Sequence, residues 1–313
     1  MRLLSIIIPF LFSGQICNGQ DNTDLSNHTD LFNIDFDSIS IDFEKFGIIE
    51  GSTIEAVCQW GNQYILDLGT TFMSLSNSLT QIKQFPMPSY IVPDADVFVR
   101  DDTLMVSSSD GDYDFTEYYN PQEREWLIKD KAERDPIHRL ELNCEDNNYK
   151  ILYSDGGGCY KNQLVFWDKK NRSRYQYHLK MKRLINFKNE YYVIGNNLIY
   201  RIKDPSSCNQ EQMIPYIKTQ DLSLISGMLL SKQLYILAND EKETIILKLT
   251  DNKFEKVFSL GQRLNFHSSR KYNHISNQKE DTIILPFNCS GKSGFLEIER
   301  THIHIIILNE VQR

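Results

Sequence analysis

The sequence predicts an all-β chain folded as a β-propeller of six blades, each about 40–48 residues long and closed by an N-terminal strand. Three observations lead there. A pattern recurs along the chain: a polar turn, an apolar strand, a second turn, another strand, then a polar tail carrying an aromatic. Its first turns fall near Asn62, Asp102, Asn148, Asn189, Lys232 and Glu280, at spacings of 40, 46, 41, 43 and 48 residues, the period of one four-stranded blade. Tyr, Phe, Ile and Val fill the strands while Asn, Asp, Gly and Lys fill the turns, and no convincing amphipathic helical stretch interrupts them. A β-sandwich or irregular all-β domain is the structural alternative. A lone four-stranded sheet cannot bury both faces; six stacked radially bury each face against a neighbour and leave only short edges.

The elements follow in order. Residues 1–19 read as a secretory signal: Met1-Arg2, the apolar run Leu3–Phe12, then a polar tail with small Cys17 and Gly19 before Gln20. The alternatives are a buried N-terminal strand and a lipid anchor at Cys17; against the anchor, Ile16 stands where a small residue is usual. Residues 20–38 form an acidic polar leader, and residues 39–313 the propeller. Ring closure usually borrows a strand from the other end of the chain, and "IDFDSISIDFEKF" (Ile34 to Phe46) is the candidate, joining the strands of "THIHIIILNE" (Thr301 to Glu310).

Charge is uneven. Of the net −8, residues 20–50 hold eight acids against Lys45 alone, so the body is close to neutral. General nucleic-acid binding needs a basic excess and is excluded. No other apolar run reaches the length of a membrane span, so no transmembrane segment is expected. Of the six cysteines, five remain after Cys17 leaves with the signal. Cys144 and Cys159 flank one predicted strand turn and are the expected disulfide. No C-x-x-C occurs, which removes the zinc-knuckle and thioredoxin-type readings.

"QYILDLGTTFMSLSNSLTQIKQF" (Gln63 to Phe85) resembles the first blade of secreted bacterial six-bladed propeller proteins, and "TEYYNPQEREWLI" (Thr116 to Ile128) resembles a kelch-type blade end, although most repeats lack the kelch double glycine. "PSYIVPDADVFVRDDTLMVSSSDGD" (Pro88 to Asp112) is similar to the opening blade of five-bladed glycoside hydrolases of the arabinanase and xylosidase type. That resemblance implies a general base at Asp94 or Asp96. Glycoside hydrolysis needs paired carboxylates, but the stretch where the acid belongs offers Lys180, Met181, Lys182 and Arg183, with Glu190 in the turn beyond.

Other candidates are sparser. Asp110, Asp112 and Asp114 have the 1-3-5 spacing of a calcium loop, but Phe115 and Pro121 stand where the loop needs glycine and glutamate. A solvated hairpin turn is favoured there, and no cofactor is expected, calcium being the one ion considered. Arg172, Arg174, His178 and Lys180 fall on one face of a strand, with Tyr175, Tyr177 and Leu179 on the other. Such a stripe suits an anionic polysaccharide or acidic partner, or protects an outermost blade strand from edge pairing. His302 and His304 share a strand face but lack a nameable third metal ligand. "SDGGGCY" (Ser154 to Tyr160) lacks the ending a phosphate loop requires. Trp60, Trp126 and Trp167 read as wedges between blades.

The chain therefore reads as a secreted, periplasmic or cell-surface protein, a non-catalytic binding or scaffolding module for an extracellular protein or polysaccharide. The alternative is a glycoside hydrolase or lyase of propeller type with an aspartate general base.

Overall fold

The computed structural model describes residues 32–49, 51–89, 95–109, 113–133, 141–154, 162–207, 216–250, 253–266 and 282–310. The signal-peptide reading of residues 1–19 lies outside them. The chain opens with β1 (Asn33–Ile41) and the single-turn helix α1 (Phe43–Phe46). Blade 1 follows as β2 (Ala56–Trp60), β3 (Gln63–Asp67), β4 (Phe72–Ser76) and β5 (Ile82–Phe85). Blade 2 is β6 (Asp96–Arg100), β7 (Thr103–Ser109), β8 (Tyr113–Asn120) and β9 (Glu125–Glu133). Blade 3 is β10 (Glu141–Glu145), β11 (Tyr149–Ser154), β12 (Gln163–Asp168) and β13 (Arg174–Tyr177). Blade 4 is β14 (Arg183–Phe187), β15 (Glu190–Ile194), β16 (Leu198–Ile202) and β17 (Ile217–Lys218). Blade 5 is β18 (Ser223–Leu230), β19 (Gln233–Asn239), β20 (Thr244–Thr250) and β21 (Lys253–Ser259). Blade 6 is β22 (Asn265–Phe266), β23 (Thr282–Cys289), β24 (Lys292–Glu299) and β25 (His302–Glu310), with β1 added outside β25. The fold is the predicted six-bladed all-β propeller.

Within each of blades 1–5 the strands run in chain order and pair antiparallel, so the chain leaves an outermost strand to begin the next innermost one. We call the face where the innermost strands start the upper face and the opposite one the lower face. Most first turns of the blades are two-residue hairpins on the lower face. Asp101/Asp102, Lys188/Asn189 and Ser231/Lys232 all have positive φ, the backbone that matches strand twist in a tight hairpin.

Ring closure departs from the simplest scheme. Blade 6 owns four strands, and β1 is a fifth, pairing parallel to β25 in register from Asn33↔His302 to Ile41↔Glu310. The direction has a physical reason. β25 ends on the upper face, so a parallel β1 also delivers the chain there, where β2 must start; an antiparallel strand would leave it on the wrong side. The strand begins at Asn33, so Asn33–Ser38 of the acidic stretch belong to the blade.

The strap reaches three blades. Phe32, just before it, sits edge-on to Tyr235 of blade 5 at 5.9 Å. At its other end Ile39 and Ile41 join Leu66, Met73, Phe295 and Ile306 between blades 1 and 6. Polar contacts reinforce that junction: Tyr64 Oη donates to Glu297 Oε2 at 2.6 Å and the Ile54 N–H donates to Ser293 Oγ at 2.8 Å. Gly294 permits the close approach of β25, since a Cβ there would lie 2.4 Å from the Ile306 carbonyl oxygen.

Trp60 and Trp126 are wedges as expected, packed between blades 1 and 2, their indole N–H groups donating to Asp102 O at 3.1 Å and Pro86 O at 2.8 Å. Trp167 departs from that expectation: it points outward from β12 and is 41% exposed. Among the described residues no helix is long and apolar enough to cross a membrane.

The strap yields a stability test. Ile41 is fully buried, so Ile41→Ala is expected to cost about 2–5 kcal/mol in denaturant unfolding. Ser40→Ala, exposed on the same strand, is expected to stay within about 0.5 kcal/mol of the parent.

Candidate functional site

A cleft opens on the lower face between blades 4 and 5, with a volume of about 380 Å³. Local sequence builds it. β14 ends at Phe187, the turn Lys188-Asn189 reverses the chain, and β15 starts at Glu190. Alternation then puts Glu190 and Tyr192 on one face of β15. Tyr192 stands directly opposite Arg201 of β16, which leaves Glu190 diagonal to the arginine and within its reach. Tyr216, just before β17, and Gln233, Leu249 and Thr250 of blade 5 complete the lining.

The polar centre is a bidentate ion pair. Arg201 Nη2 donates to Glu190 Oε1 at 2.8 Å and Nε to Oε2 at 2.5 Å. Tyr192 Oη donates to Glu190 Oε2 at 3.3 Å. The guanidinium lies over the Tyr216 ring at 5.2 Å, and the Tyr192 and Tyr216 rings meet at 5.9 Å and 73°. The Arg201 hydrogen bond holds the Glu190 carboxyl below the usual carboxylate range and raises the guanidinium above its own. Burial pushes the Tyr192 hydroxyl up to about 12. The cleft thus presents fixed charges, planar hydrogen-bonding groups and the partly exposed Tyr216 ring, with Tyr192 buried beneath it, an arrangement suited to binding.

The structure distributes the sequence candidates elsewhere. Arg174, His178 and Lys180 are exposed while Tyr177 and Leu179 are buried, as the alternation predicts. Arg172 sits in the preceding turn with φ 54°. β13 is the outermost strand of blade 3, so the stripe lies on the rim and apart from the cleft. There Arg174 Nη2 donates to Gln176 Oε1 at 3.0 Å, and Gln176 Nε2 lies 3.4 Å from His178 Nε2. Asp96 starts β6 on the upper face, opposite Ser107, and is 4% exposed. Asp94, Asp110 and Asp112 lie outside the described residues; Asp114 is in β8, opposite Ser109. Cys144 is in β10, and its expected partner Cys159 lies outside the described residues.

His302 and His304 do share a face of β25. Each meets a carboxylate of β1: His302 Nε2 lies 3.1 Å from Asp35 Oδ2 and His304 Nε2 2.7 Å from Asp37 Oδ2. Among the described residues no group of three His, Cys, Asp or Glu side chains is placed to hold a metal ion. The histidines serve the strap.

Two features escaped the sequence reading. Glu190, expected in a turn, opens β15 and anchors the cleft. Its signal was present in "NEYYVIGNNLIYRI", a hairpin whose alternation sets Tyr192 across from Arg201. The second is Asp67, at the upper end of β3 and 2% exposed, whose Oδ1 accepts from the Gly69 N–H at 2.8 Å.

No protein-family model matches the chain, and no curated protein does. Solved structures do match. A prolyl endopeptidase structure aligns over 84% of this chain at 10% identity with a TM-score of 0.49. This chain spans about half, 51%, of that protein's length. A functionally unknown protein from Desulfotomaculum acetoxidans aligns over 83% of this chain and 90% of its own at 11% identity, TM-score 0.43.

Asp67 gives the upper face a pH dependence. Burial pushes its carboxyl up to about 7, opposed by the Gly69 hydrogen bond and assisted by the Glu55 charge. An unfolded aspartate titrates near ~3.9, so between those values the folded state holds the extra proton and stability falls as pH rises. Asp67→Asn keeps the acceptor for Gly69 and removes the charge. The variant is expected to gain stability over the parent at pH 8, with the gain fading by pH 4.5, in urea unfolding at both.

Proposed function

We propose that the protein is a secreted, non-catalytic binding module, and that the lower-face cleft between blades 4 and 5 recognises an extracellular polysaccharide. One observation carries this reading: the Glu190–Arg201 pair lies against the Tyr192 and Tyr216 rings. A sugar ring has an apolar C–H face and a rim of hydroxyls. Aromatic rings take the first, and fixed planar charged groups take the second by hydrogen bonding in pairs. The volume lies within the ~300–1,000 Å³ range of ordinary ligand pockets. An extracellular protein is the alternative occupant, and scaffolding the alternative use.

A second reading rests on a different observation. Asp67 and Asp96 are buried carboxyls on the upper faces of the adjacent blades 1 and 2. A propeller hydrolase or lyase would need such acids with one kept protonated, as burial favours at Asp67.

Native affinity electrophoresis of the mature chain, through gels cast with neutral and anionic polysaccharides and stained afterwards for residual polymer, separates the two. Retardation without clearing is expected. Tyr216→Ala should weaken it by about tenfold in Kd, or ~1.4 kcal/mol. Clearing around the band would overturn the binding reading and turn attention to Asp94, Asp96 and Asp67. A band that is neither retarded nor clearing would leave a protein partner in place of the glycan.

A further inference from the structure

A second cleft lies on the same lower face, on the side of blade 1 turned toward blade 2. It encloses about 270 Å³ and is lined by Asn62, Gln63, Ser74, Ser76, Gln81 and Lys83. Register explains the set. Gln63 stands opposite Ser76 and Ser74 opposite Lys83, so three neighbouring strands turn polar side chains toward blade 2 at their lower ends. Toward the upper ends of these strands the same face is apolar, with Ile65, Phe72 and Phe85 in the core between the blades.

Little of the lining is committed to hydrogen bonds within the protein. Ser76 Oγ accepts from the Thr80 and Gln81 N–H groups at 3.2 and 3.0 Å and lies 3.1 Å from Ser78 Oγ. These contacts hold the loop before β5 in place. Among the described residues, by contrast, the side-chain amides of Asn62, Gln63 and Gln81 make no hydrogen bond, and Lys83 has no carboxylate partner. The cleft contains no acid. Three amides offer paired donors and acceptors around one unneutralised ammonium. That chemistry fits a polyhydroxylated anion: the ammonium for a carboxylate, the amides for vicinal hydroxyls. The volume, just under the ~300 Å³ lower end of ordinary ligand pockets, takes one sugar residue.

We infer that this blade 1 cleft is a second glycan subsite, selective for an acidic sugar of the uronate class. The inference rests on the glycan-binding reading of the blade 4–5 cleft. In a ring of six, blade 1 and the junction of blades 4 and 5 stand on opposite sides of the axis, and both clefts open on one face. A polymer long enough to engage both gains avidity that a monosaccharide cannot.

The test uses the intact chain and two monosaccharides, galacturonate and galactose, followed through the side-chain amide NMR signals of Asn62, Gln63 and Gln81. Galacturonate is expected to shift those signals, with galactose binding about tenfold more weakly for want of the ion pair. Lys83→Gln should weaken galacturonate by about the same factor, and Tyr216→Ala should leave these shifts unchanged. Lys83 is exposed, so its replacement does not threaten the fold. Unmoved amide signals, or equal shifts in the parent and Lys83→Gln, would overturn the second subsite. Failure of the first reading shows separately, as polymer retardation that Tyr216→Ala does not change. Galacturonate shifts confined to residues of the blade 4–5 cleft would overturn the second subsite and leave the first standing.

Discussion

A ring of sheets is held shut only where its ends meet, and here that junction depends on the parallel pairing of β1 with β25. Each blade buries its faces against two neighbours, so an open ring would expose apolar surface on both blades 1 and 6. The strap prevents this by belonging to both. Its backbone hydrogen bonds lie in blade 6, its covalent continuation runs into blade 1, and Phe32 reaches back to blade 5. The two Asp–His contacts lie along the same pairing, which explains why histidines that look like metal ligands in the sequence are used to fasten a strand.

Closure also decides where binding groups can sit. Strands that bury both faces have no side chains to spare over most of their length. Polar residues that point between blades are tolerated only where the blades diverge, near the faces of the ring. The lower face carries the tight hairpins, whose short reach leaves the ends of the sheets uncovered. Both clefts open there, one between blades 4 and 5, the other on the side of blade 1 turned toward blade 2. They differ in chemistry. The first holds its charge as an internal pair beside tyrosine rings, while the second leaves a single ammonium among amides. The upper face carries the buried carboxyls Asp67 and Asp96.

Much of this was legible in the chain itself. The repeat period and the turn residues determined the blade count, because a hairpin's turn chemistry is local and the strand length between turns is set by blade height. Alternation determined which side of the β13 segment faces solvent, and Ile34 to Phe46 was recognisable as the closing strand. Only the tertiary structure decided the rest. The parallel direction of β1 depends on which face β2 starts from. Whether Glu190 pairs with Arg201 depends on hairpin register, and whether Trp167 wedges or points outward depends on what lies beyond a sheet. The blade 4–5 cleft is made by residues of different blades, such as Tyr216 and Gln233, whose proximity follows from ring geometry and leaves no periodic trace in the sequence.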